Sequence, residues 1–176
     1  MAVLALRYFP DDILRIKTTP ITEFGDALRK FVADMAETMY AENGIGLAAN
    51  QVGVSRRVVV MDVPRSEEDR SPNFKAYINP EIVERSGIQF FDEGCLSFPG
   101  ITAEVKRALG ITVRYHDATG AVHEDRVTGL ESVCVQHELD HLEGITFVDY
   151  LSPLKRRLLL RDLKKNLAEL GVPAAP

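Results

Sequence analysis

His137 and His141 stand four residues apart in the string Gln136-His137-Glu138-Leu139-Asp140-His141. On a helix, side chains at i and i+4 share a face, so the two imidazoles can grip one metal ion while Glu138, one position on, reaches its open side. That is a layout for metal-assisted hydrolysis, in which a divalent ion pulls the pKa of a bound water toward neutrality and a carboxylate beside it takes the proton. The competing reading is a surface helix that happens to carry two His among several acids.

A catalytic site of this kind needs a third protein ligand. Glu143 lies two past His141 and points away from the His pair. The chain has two cysteines. Cys134, three before His137, shares its face, but Cys, His and His on one helix face would crowd one side of the ion, and a free Cys is commonly a small buried hydrophobe. Cys95 lies in Glu93-Gly94-Cys95-Leu96-Ser97-Phe98-Pro99-Gly100. That segment reads as irregular, rich in Gly and Pro, where a backbone can bend close to an ion; on chemistry alone a core thiol stays equally open there.

Other elements must bring these groups together. Residues 21 to 42 carry Phe24, Leu28, Phe31, Val32, Met35 and Met39 at helical spacing and stop at Asn43-Gly44, which predicts a long helix with one buried stripe. From Arg57 to Arg126 the pattern turns to β-rich runs, among them 58–61, 76–78, 111–115 and 121–127. Pro80, Gly87, Gly100, Gly110 and Asp117-Ala118-Thr119-Gly120 punctuate them, the last as a hairpin turn. A second helix is expected over about 130–143, ended by Gly144. A third begins with Ser152 as N-cap and Pro153 in its first turn, and ends near Gly171. The order predicts an α+β fold: antiparallel sheets packed around a central metal-binding helix, with a long N-terminal helix and a C-terminal helix. One domain is expected over 1–172, with 173–176 a frayed tail.

At 176 residues and 45% hydrophobic, the chain can bury a core without a disulfide framework. Two cysteines are too few for a secreted scaffold, and no stretch reads as a signal or a membrane span, so a cytoplasmic protein with reduced thiols is expected. A net charge of -5 with interleaved acids and bases argues against DNA as a specific ligand.

Three strings, Gly44-Ile45-Gly46-Leu47-Ala48-Ala49-Asn50-Gln51-Val52-Gly53, Glu93-Gly94-Cys95-Leu96-Ser97 and Gln136-His137-Glu138-Leu139-Asp140-His141-Leu142-Glu143-Gly144, resemble the signature motifs of peptide deformylases, in the family's order. Asp149 to Lys155 extends the likeness, and Asn50 and Phe98 depart from it at positions that vary. The resemblance implies Cys95, His137 and His141 as metal ligands with water in the fourth position. It implies ferrous iron, with zinc, nickel or cobalt as substitutes; sequence does not separate ions that accept the same donors. It further implies removal of the formyl group from the N-terminal methionine of new polypeptides, releasing formate. Glu138 would be general acid and base, and the Gln51 amide and Leu96 N–H would be oxyanion donors. By the same resemblance the backbones of Ile45, Gly46 and Gly94 pair with an extended substrate, Phe91, Leu130, Val133 and Cys134 surround the methionine side chain, and Arg107 reaches a downstream carbonyl.

The rivals are a small zinc metallopeptidase, which would need a third ligand after His141, and a non-catalytic metal-binding module closed by Cys134. Near the C-terminus, Leu160, Leu163, Leu167 and Leu170 form an apolar stripe opposite Arg157, Arg161, Lys164 and Lys165. A basic face on an acidic protein whose substrates emerge from the ribosome suggests a ribosomal contact.

Overall fold

The structure is a computed structural model and describes residues 1–173; the expectation of a frayed tail therefore falls, for 174–176, outside the described residues. Helix α1 spans Asp26–Ala41. Strands β1 (Gly46–Ala48), β2 (Val58–Asp62), β3 (Phe74–Ser86), β4 (Gln89–Cys95), β5 (Phe98–Arg107), β6 (Gly110–His116) and β7 (Val122–Thr128) follow, then α2 (Gly129–Leu142) and α3 (Pro153–Glu169). An antiparallel five-stranded sheet has the order β1-β2-β3-β6-β7, and β4 pairs with β5 as a separate two-stranded sheet. The α+β architecture is the expected one.

Period-two alternation explains where the helices sit. On β2, Val58 and Val60 face α1 and pack with Leu28, Val32, Met35 and Met39. Val59 and Met61 point the other way, onto Val135, Leu139 and Leu142 of α2. Ile101, Ala103 and Val105 of β5 join Leu163 of α3 and Phe147 in a third cluster. Helix α2 is thus enclosed by the large sheet on one side and the β4–β5 sheet on the other, which is why even its His137, Glu138 and His141 are buried. No helix among the described residues is long and apolar enough to cross a membrane.

Three local expectations need correction. Glu93 to Gly100 is not irregular: Cys95 pairs with Phe98 across a two-residue turn, and a register shift between Glu93 and Cys95 absorbs the Gly-rich sequence into a bulged strand. Pro80 does not end its strand, because a shift between Ile78 and Glu81 lets β3 continue past it. Helix α1 starts at Asp26, leaving Phe24 outside it, its ring tilted against that of His116. Ser152 caps α3 as expected, its side chain accepting from the Lys155 N–H.

Candidate active site

Helical periodicity puts His137 and His141 on one face of α2, with ring centroids 5.0 Å apart. Cys95 comes to them from the end of β4, its Sγ 3.3 Å from His141 Nε2, while His141 Nε2 lies 3.3 Å from His137 Nε2. The three ligand atoms all fall within 4.8 Å of one another. His137 Nδ1 is 2.7 Å from Glu93 Oε1, which fixes the ring and leaves Nε2 facing the cluster, as the outer partner of a metal-binding His does. One soft thiolate and two imidazole nitrogens so arranged fit a divalent transition-metal ion. Cys134 is outside this group; burial pushes its thiol up, the Glu138 charge adding to the effect, so it stays protonated.

Glu93 holds two roles through one carboxylate. Arg107 donates to it from Nε (2.7 Å) and Nη2 (2.8 Å), and Nη1 of the same guanidinium donates to Asp140 at 2.7 Å. Burial alone would raise the Glu93 pKa, but hydrogen bonds from Arg107 and His137 outweigh it and hold it below its ordinary value. Nothing in the sequence reading singled Glu93 out: the segment read as irregular, and the bulge between Glu93 and Cys95 interrupts the strand period that would have linked them.

Glu138 is buried, and its Oε2 has no hydrogen-bond partner among the described residues. Burial raises its pKa to about 7, against the opposing charges of His137 and Arg107. It lies directly under β1: a Cβ on Gly46 would fall 2.6 Å from Glu138 Oε1, so this position admits only glycine without displacing the carboxylate. The Gln51 amide is oriented from both ends. Its Oε1 accepts from the Ala48 N–H at 2.9 Å, and its Nε2 points at Ser97 Oγ (3.1 Å) and Cys95 Sγ (3.4 Å). Leu96 occupies the turn directly after Cys95.

A cleft of about 840 Å³ opens over these groups. Ile45, Gly46, Gly94, Phe91, Leu130, Val133 and Cys134 all line it, beside Gln51, Leu96, Cys95, His137 and Glu138. Arg107 does not. The expectation that it reaches a substrate is corrected by strand parity: Ile101, Ala103, Val105 and Arg107 are the inward positions of β5, so its guanidinium is buried, 5% exposed, and committed to Glu93 and Asp140.

Comparison with known proteins agrees with this geometry. The family model described as polypeptide deformylase matches residues 3–157. Peptide deformylase 2 of Xanthomonas campestris pv. campestris is 51% identical over 168 residues, covering 94% of this chain and 96% of that protein. The peptide deformylase of Xylella fastidiosa strain M12 is 50% identical over 169 residues, with 94% and 97% covered. Among solved structures, a peptide deformylase from Legionella pneumophila superposes with a TM-score of 0.90 at 40% identity, covering 98% of this chain and all of that one. The enzyme of Ehrlichia chaffeensis in complex with actinonin gives 0.88 at 39%, covering 94% and 98%. Matched in sequence and fold along nearly its whole length, the chain belongs to the peptide deformylase family of metal-dependent hydrolases.

Proposed function

We propose that this protein removes the formyl group from N-formylmethionyl polypeptides through a site held by Cys95, His137 and His141. The observation that carries the reading is the convergence of these three donors beside a buried carboxylate and an oriented amide, with Cys95, His137, Glu138 and Gln51 lining one cleft. Cys95, His137 and His141 would hold a divalent ion, which when bound would supply a water of lowered pKa and polarise a carbonyl oxygen. Glu138, near neutrality in its pKa, accepts a proton at its carboxylate and returns it to the leaving nitrogen. The Gln51 Nε2 and the Leu96 N–H, fixed in place beforehand, donate to the oxygen that gains charge at the formyl carbon. Ile45, Gly46 and Gly94 offer backbone groups to an extended peptide, and Phe91, Leu130, Val133 and Cys134 enclose the methionine side chain. The catalytic unit spans 1–172, and the two free thiols suit the cytoplasm.

Anaerobic purification, metal analysis and formate release from formyl-Met peptides test the reading; a protein that binds metal but releases no formate is instead a binding module. Ferrous iron is the ion we assign, with zinc, nickel or cobalt as substitutes. Cys95→Ser replaces a soft thiolate by a hard alcohol and is expected to weaken metal binding by about tenfold or more and to change the metal preference. Competition with a metal-binding dye reads both, and unchanged affinity would return Cys134 to consideration.

The substrates are nascent chains, and we assign the exposed Arg157, Arg161, Lys164 and Lys165 face of α3 to a ribosomal contact. Reversing these four to Glu is expected to weaken co-sedimentation with ribosomes in a salt-dependent way while leaving short formyl peptides as good substrates. Identical co-sedimentation across a salt series would remove the contact and leave the catalytic assignment intact.

A further inference from the structure

The apolar stripe expected on α3 keeps its period but outruns the core it packs on. Leu160, Leu163 and Leu167 pack against Phe98, Ile101 and Phe147. Leu170 leaves that core and is 63% exposed. With Val172 it instead lines the cleft that contains Cys95, His137 and Glu138.

The Leu170 N–H still donates to Asn166 O at 3.0 Å, and specific bonds then close the helix and bring Val172 back beside it. Gly171 takes a φ of +72°. Its N–H donates to Ala168 O at 3.1 Å, and the Val172 N–H donates to Leu167 O at 3.0 Å. These are the two bonds of a Schellman closure, which folds the residue after the glycine back along the helix end. Asn166 Nδ2 donates to Pro99 O at 3.0 Å, tying this end of α3 to the start of β5 just beyond Leu96. A Cβ on Gly100 would stand 2.6 Å from Asn166 Nδ2, so the strand and the helix end meet with no room between them.

We propose that Leu170 and Val172 form an apolar subsite for a side chain downstream of the formylated methionine, and that this subsite sets which nascent sequences are processed fastest. The proposal rests on the deformylase reading above. Phe91, Leu130 and Val133, Gly94 and Thr102, and Leu170 and Val172 all line one cleft, and the Asn166–Pro99 bond holds the helix end beside the strand pair that carries Gly94. An extended peptide advances about 3.4 Å per residue with its side chains alternating, so a chain paired at Gly94 turns every second side chain toward the cleft lining, of which Leu170 and Val172 are part. Large exposed apolar groups on a binding cleft favour being covered by apolar groups of a ligand. Charge adds a second preference. Glu42 stands at the cleft, and no Lys or Arg lines it among the described residues, so acidic downstream side chains meet no cation there.

The test uses the metal-loaded full chain and formyl-Met peptides carrying Leu, Ser or Asp at each of the next three positions. At one position Leu is expected to exceed Ser by about fivefold in kcat/KM, mostly through KM, with Asp lower still. The Leu170→Ala/Val172→Ala double substitution is expected to erase the Leu preference and to leave kcat/KM on formyl-Met amide and the melting temperature unchanged. A flat wild-type profile, or a Leu preference that survives the double substitution, overturns the proposal. In parallel, acetyl-Met peptides, which do not react, are titrated against methyl NMR signals of Leu170 and Val172; shifts with Leu peptides and none with Ser peptides support the subsite, and their absence counts against it. That arm needs no turnover: if the wild type releases no formate at all, the deformylase reading fails while the subsite is still read.

Discussion

Glu138→Gln is expected to keep its metal and to lose deformylation by about 10²- to 10⁴-fold, the usual contribution of a positioned proton-transfer group. The substitution preserves the shape of the side chain under Gly46 and removes the ability to take and return a proton. Because Glu138 lies outside the group of three donors that converge, metal content is expected to match the wild type. Metal analysis and formate release on the same sample separate the two effects. Near-normal turnover would refute the proton-transfer role, whereas loss of metal would mean that Glu138 belongs to the ligand set. Gln is the better choice than Ala here, since the carboxylate sits in close contact with the β1 backbone and an empty space would add a packing defect of its own.

Arg107→Met is expected to destabilise the fold by about 3–5 kcal/mol, because it leaves the buried Glu93 carboxylate without its cation. For a chain of this length that is a drop of roughly 10 °C in melting temperature. The same change loosens the carboxylate that orients His137, so metal affinity is expected to fall by about tenfold or more. Thermal melts and chelator competition check the two effects. Glu93→Gln added to Arg107→Met removes the lone charge and is expected to recover part of the stability; no recovery would mean that packing, rather than charge, dominates.

The pH dependence follows from the Glu93 shift. Its folded-state pKa lies below the ordinary 4.5. A depressed carboxylate contributes stability that is fully present above the unfolded value and is lost as pH falls through the folded value. The stability gap between wild type and Arg107→Met is therefore expected to be widest near neutrality and to narrow below about pH 4. A gap of constant size down to strongly acid pH would count against the ion pair as its source.

The residues that lie close in sequence were legible before any fold was known. The His137–His141 spacing, the offset of Glu138, the stripe of α1, the Ser152 cap and the Asp117–Gly120 hairpin each follow from a period or a turn preference acting over a few residues. The type of fold followed too, because the order of these periods leaves few ways to cover apolar faces. What the period could not decide was which distant groups meet. Cys95 and Cys134 were both candidate ligands. Of the two, Cys95 is the one that meets His137 and His141, through a bulge and two-residue turn whose register is set by pairing with a second strand. Arg107 looked free to reach a substrate until strand parity turned it inward onto Glu93 and Asp140. Leu170 continues the stripe of α3 in spacing and in helical geometry, yet at the helix end that stripe runs past the Phe98–Phe147 core and onto the cleft. Local periodicity is carried by the residues themselves, whereas approach between elements depends on how each strand and helix end closes against a partner far along the chain, and only the tertiary structure decides that.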